Sequence, residues 1–406
     1  MHSKVDTILG FLQVWSIAAL FTYQVCSKST MVILSGFIFI LSIGKICCHF
    51  KKLILEPFVI STLLIVVFGS LLMLGNSNGL VTRLDRAILY ISDAFAAIAI
   101  YMVLRVTEKG QLIKIIDRSL IAIAISLIIG FFINDKYRNA GLTYEPSIVV
   151  FTTICLTISL NILKKNASEF GMWILAPILI LFVPSKLHFF TLAIFAFHKP
   201  ARDTIKILYD KCGPYKWYLV YFILMCLIIN IWQRHGSIYM LINALYQMIE
   251  GAFTILNSGQ MPLTQSFFVR SVSILNALMN FLYSPLGLGW GGIGGTTTGG
   301  IMTNVLQYIM PSKEIQYGEV YPGVEAELTS KSYLLDILTS LGLLPTFLLA
   351  MLYLRRCRAK VIHRWNDPAI IKTFILFLAM TAVVESIYGW LLAAVLSVVS
   401  ISKNEI

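Results

Sequence analysis

The sequence predicts an all-α, multi-pass integral membrane protein of about 11–12 transmembrane helices with one large external loop. Three observations lead there. The 406 residues are 58% hydrophobic and only 13% charged. Mean hydropathy is +0.81. Apolar runs close to the roughly 20 residues that cross a bilayer core recur from end to end. A soluble domain of this length has no interior able to take so much apolar surface, so lipid must be the solvent for most of the chain.

In chain order, the apolar runs predict spans at 7–25, 30–48, 56–75, 87–105, 118–134, 146–163, 217–232 and 333–354. The first is not read as a signal peptide, because no small-residue cleavage pattern follows it and a second span begins almost at once. A shorter pair, 171–183 and 187–198, reads as a hairpin with Pro184-Ser185-Lys186 at its tip. A final run, 369–400, makes one steep span or two short ones broken near Glu385 and Gly389.

Orientation follows the excess of Lys and Arg in cytoplasmic loops. The strongest signal is RRCRAKVIHR, 355–364, which has five Arg or Lys and no acid. Lys51-Lys52, the 106–118 linker, Lys164-Lys165 and the 198–216 loop are basic as well. Placing all of these inside works if 171–198 enters and leaves on one side. The net charge of +12 is therefore a topology signal. It does not indicate nucleic acid, because the basic residues lie in short loops between spans. The seven cysteines show no metal-ligand spacing and no disulfide framework, and they read as small apolar fillers.

One external segment remains, 233–332, and the chain reads as a single polytopic domain over 1–406. The segment holds four basic residues (Arg234, Arg270, Lys313, Lys331) and five acidic ones (Glu250, Glu314, Glu319, Glu325, Glu327). Loops this long are usually functional. Residues 236–256 and 265–283 carry helical apolar stripes, yet are too polar to span comfortably, and read as helices at the membrane surface.

Between these helices and the next span lies SPLGLGWGGIGGTTTGG, 284–300, in which Gly287, Gly289 and Gly292 spell a formal G-x-G-x-x-G. A dinucleotide fingerprint needs a strand before it and a helix after it, within a βαβ unit. A surface helix precedes this loop, and the G-K-[ST] of a P-loop is absent. A nucleotide site is therefore excluded. The run instead provides a backbone that can approach something closely, with N–H groups able to cradle an anion.

Three motif blocks then take on meaning together. Arg138, Gly141 and Pro146 form R-x-x-G-x-x-x-x-P before a span. Arg270 precedes P-x-G-x-G at Pro285, Gly287 and Gly289. Lys331-Ser332 is followed after nine residues by Gly342. In order and in common side, these blocks resemble those of the O-antigen ligase/polymerase superfamily, whose third block begins with histidine where this chain has Lys331. The resemblance covers essentially the full length and implies a GT-C-like, metal-independent glycosyltransferase acting on undecaprenyl-pyrophosphate-linked sugars. It implies that Arg138 and Arg270 engage the donor pyrophosphate. Loss of the histidine favours the polymerase branch. By the same analogy the site faces the periplasm from the inner membrane, a chain-length regulator is a partner, and no cofactor is needed.

Elementary chemistry points the same way. A departing pyrophosphate accumulates negative charge, which planar guanidinium forks suit. Without a metal, fixed cations must supply that stabilisation. An acceptor hydroxyl needs a base, and Glu327 and Glu325 are the natural candidates among the external residues. Lys331, four residues after Glu327, reads as a further phosphate contact, and Gly287, Gly289 and Gly292 as a loop along which the glycan moves. The expected partners are lipid-linked oligosaccharides and membrane lipids. Two rivals stand beside a polymerase: a ligase handing glycan to lipid A–core, and a flippase for lipid-linked oligosaccharide.

Overall fold

A computed structural model describes residues 2–22, 28–75, 80–133, 284–290 and 333–348, together with single helical positions at 149–163, 210–250, 351 and 394–398. Among the described residues there are helices and no strands. This is what lipid demands, since a helix satisfies its backbone polar groups internally. Among the described residues, two helical stretches, Pro57–Gly75 and Ala87–Val106, are long and apolar enough to cross a membrane, and a third is added if the pair broken at Ser42 is one span.

The described helices are α1 (His2–Thr22), α2 (Lys28–Leu41), α3 (Ile43–Ile54), α4 (Pro57–Gly75), α5 (Leu80–Val106), α6 (Lys109–Ile133) and α7 (Tyr333–Leu341). The chain divides into two compact units. One comprises 1–43, 107–245 and 364–377, and the other 44–106, 246–363 and 378–406.

In the first unit, α1 packs on α6 and α2. Gln13 is buried on α1, and its amide Nε2 donates to Ser42 Oγ at 3.1 Å and Thr107 Oγ1 at 3.4 Å. The Ser42 hydroxyl in turn donates to the carbonyl of Ile38 at 3.1 Å. Here the structure corrects the expected span 30–48. The helix ends at Leu41 and a new one starts at Ile43, with Ser42 bonded back into the preceding turn. A serine that bonds to the carbonyl four residues earlier competes with the helical ladder, and a second polar group on the same hydroxyl holds the break in place. The described residues between 149 and 163 are all helical and buried.

In the second unit, α4 and α5 pack along their length. Pro57 occupies the first helical position of α4, where its missing N–H costs nothing, and Glu56 precedes it, with its carbonyl accepting from the Ile60 amide at 3.1 Å. Helix α5 starts at Leu80, earlier than the expected 87, so Arg83 and Arg86 are helical residues. Helix α6 likewise begins at Lys109, inside the expected 106–118 linker.

The expected span 333–354 is also interrupted. Helix α7 ends at Leu341, Gly342 has a φ of 78°, and helix resumes over 343–348. Helix α7 packs against α4.

Candidate functional site

Four orphan carbonyls are left wherever a helix stops, and α7 stops at Gly342 in the middle of an apolar run. The Gly342 amide takes one, donating to Leu338 O at 2.7 Å. The next two are taken by a segment far away in sequence. The Leu288 amide donates to Thr339 O at 3.0 Å, and the Gly289 amide to Ser340 O at 2.9 Å. In return the Leu343 amide, at the start of the resumed helix, donates to Pro285 O at 2.8 Å. The Pro-Leu-Gly-Leu-Gly stretch thus lies along the break in α7 and satisfies it.

The approach is close enough to require glycine on both sides. A Cβ on Gly287 would collide with the backbone of Ser340, Leu341 and Gly342, and one on Gly342 would collide with Pro285 O and the Gly287 amide. Gly287 and Gly289 have φ of 92° and 77°, a region that only glycine enters cheaply. Gly289 also lies against the backbone of Leu72 and Met73 in α4. The local turn is closed by the Gly287 amide on Ser284 O at 2.9 Å and by the Ser284 hydroxyl on Gly287 O at 3.0 Å.

Trp290, which follows Gly289, is 1% exposed. Its backbone amide donates to Gly69 O at 3.2 Å, and its indole Nε1–H donates to Val66 O at 3.3 Å. Its ring stacks on Tyr90 of α5 with centroids 5.1 Å apart and planes 19° from parallel. A side chain on Gly69 would occupy the space of the indole. This non-helical backbone runs beside Gly69, Leu72 and Met73 of α4, a helix long and apolar enough to span, and from there the indole reaches Val66 near the middle of that helix. Irregular backbone is tolerated at such depth only when protein groups satisfy it. The amides of Gly287, Leu288, Gly289 and Trp290 all donate within the protein.

A second buried cluster stands at the end of the α4–α5 pair where α4 begins. Arg105 Nη2 donates to Glu56 Oε1 at 3.4 Å, and the Tyr101 hydroxyl donates to Glu56 Oε2 at 3.5 Å. Phe58 stacks on Tyr101 at 4.7 Å. The ion pair is buried, with side chains 1% and 7% exposed. Along α5, Tyr90, Asp93, Ala97, Tyr101 and Arg105 recur at helical spacing, which carries a polar stripe down one face. Asp93 on that stripe is buried too.

Of the residues expected at the site, Gly287 and Gly289 are described and sit in the docked segment, with their amides committed to Ser284 and Ser340. The surface that these glycines approach is therefore the backbone of α4 and α7. Arg138, Arg270, Glu325, Glu327, Lys331 and Gly292 lie outside the described residues. What the structure does bring together is the P-x-G-x-G block and the glycine that closes the third block, Gly342, back to back. Sequence reasoning passed over Trp290, Gly69 and Tyr90. An isolated glycine within an apolar helical run, as at Gly69, is the available sign of close packing. It also passed over the Glu56–Arg105 pair, hidden because each member sits at a span end next to basic loop residues. Among the described residues no cluster of His, Cys, Asp or Glu suits a metal ion. The chain matches no family model, and no curated protein is significantly similar to it.

Proposed function

We propose that the chain is a polyprenyl-pyrophosphate-dependent glycosyltransferase of the O-antigen polymerase type, working at the outer face of the cytoplasmic membrane. The acceptor is the non-reducing sugar of a lipid-linked repeat unit. One of its hydroxyl oxygens attacks the anomeric carbon of the donor glycan and forms the new glycosidic bond. The bond from that carbon to the pyrophosphate oxygen breaks, and its electron pair leaves with the undecaprenyl pyrophosphate. The hydroxyl proton passes to the carboxylate of Glu327 or Glu325. Arg138, Arg270 and Lys331 hold the departing diphosphate.

The observation that carries this reading is the meeting of two motif blocks, Pro285-x-Gly287-x-Gly289 and Gly342, in one backbone crossing. Blocks brought together by sequence order alone have no reason to share atoms. Here each supplies the donors or the space that the other needs. The crossing also ties residues 285–289 to the helical stretch around Gly342, which supports a reading in which Arg270 and Glu327, on either side of that stretch in sequence, serve one substrate.

Arg138→Ala and Arg270→Ala are each expected to abolish polymer while the protein remains in the membrane at normal level, read as the loss of the chain-length ladder on a lipopolysaccharide gel. Wild-type ladders from both would overturn the assignment, and a Glu327→Gln variant with normal polymer would move the base to Glu325. A deletion strain separates polymerase from ligase. The former leaves core bearing one repeat, the latter bare core.

The helix break at Gly342, after α7, favours a second reading, since discontinuous helices also mark transporter sites. Purified protein that lengthens lipid-linked repeats in detergent without nucleotide sugar excludes a flippase.

A further inference from the structure

Helix α3 (Ile43–Ile54) takes no part in the crossing described above. Its sequence, IGKICCHFKKLI, divides cleanly at 100° per residue. Ile43, Ile46, Phe50, Leu53 and Ile54 fall on one arc. Lys45, His49, Lys51 and Lys52 fall on the opposite one. Of the apolar arc, Ile46 and Leu53 are buried against the protein, whereas Ile43 and Phe50 remain 49% and 45% exposed. Lys45, Lys51 and Lys52 are exposed. Among the described residues none of the three is in an ion pair, and the one acid nearby, Glu56, is buried against Arg105. No acidic residue occurs in α3 itself.

We infer that α3 lies in the membrane interface and binds anionic phospholipid headgroups. Two residues of its apolar arc, Ile46 and Leu53, anchor on its own chain, and the other three, Ile43, Phe50 and Ile54, need a cover. Two residues after α3 the chain enters α4, a helix apolar enough to span, so the bilayer surface is the cover within reach. Lysines opposite such a face are at headgroup level, where an anionic leaflet attracts each of them and long side chains reach the phosphates.

The test uses the full-length chain with Cys47 as its sole cysteine, labelled with a fluorophore and reconstituted in phosphatidylcholine vesicles. Either brominated phosphatidylglycerol or brominated phosphatidylcholine is included at about 5 mol% as quencher. Phosphatidylglycerol is expected to quench at least about three-fold more efficiently at low salt, with the preference falling as salt is raised. In Lys45→Gln/Lys51→Gln/Lys52→Gln the preference should vanish while quenching itself persists. Equal quenching by the two lipids in the parent, or a preference that survives the triple substitution, overturns headgroup binding. Absence of quenching by either places α3 away from the bilayer and overturns the inference altogether, as it would if a soluble anionic partner covered this helix.

Discussion

Gly69 and Trp290 are separated by more than two hundred residues, and each is intelligible only through the other. The indole occupies the space that a Cβ at position 69 would need, and its N–H bonds to the α4 carbonyl one turn earlier. Gly69→Ala should therefore expel the ring and lower thermal stability in detergent, at a cost of about 1–3 kcal/mol, the range for overfilling a packed site. Trp290→Ala should cost at least as much, since a buried aromatic and its stacking partner are lost. The two should be clearly less than additive, because without the indole the new methyl has room. Strictly additive losses in melting temperature would sink the lock. At this scale the sequence was partly legible. The glycine run announced a close backbone approach, and Gly287 and Gly289 do have positive φ. What they approach was not legible, because a bare backbone carries no mark of its partner. The partners are carbonyls of a helix whose premature end depends on Gly342.

At the scale of elements, α4 and α5 are fastened at two levels. Trp290 joins them at one level through Tyr90, Gly69 and Val66, and the Glu56–Arg105–Tyr101 cluster closes the end where α4 begins. A buried pair of this kind contributes little net stability, but breaking it leaves one charge without its partner. Arg105→Met and Glu56→Gln are each expected to destabilise the α4–α5 pair by about 3–5 kcal/mol, while the double variant recovers most of the loss. Thermal unfolding of the three proteins in one detergent measures this. Single variants that melt like the parent would show that water reaches the pair. Element positions were legible where apolar runs were unbroken: 56–75 became Pro57–Gly75. They were not legible at Ser42 and Gly342, where a run that is apolar by composition is divided by a hydrogen bond or by a neighbouring backbone. Hydropathy averages over a window and does not register either.

For the molecule as a whole, charge asymmetry leads to a topology that labelling can check. The proposed topology has Lys52 in the cytoplasm and Arg270 on the opposite side. In spheroplasts, a membrane-impermeant maleimide should reach a cysteine at position 270, from Arg270→Cys, and spare one at position 52, from Lys52→Cys, until the membrane is permeabilised. The reverse pattern would remove the diphosphate site from the lipid-linked substrate and with it the proposed transfer chemistry. Charge, spacing and resemblance point to the candidate catalytic residues, which lie outside the described residues.

By itself the sequence determined the solvent and the secondary structure. A chain that is 58% hydrophobic must dissolve in lipid, and in lipid the backbone has to satisfy itself, which helices do residue by residue. Only the tertiary structure decided where those helices are interrupted and what repairs the interruption. An orphan carbonyl at Thr339 or Ser340 finds its donor at Leu288 or Gly289, some fifty positions away along the chain. Such a pairing depends on which segments the fold brings within about 3 Å, a distance that no local pattern of residues encodes.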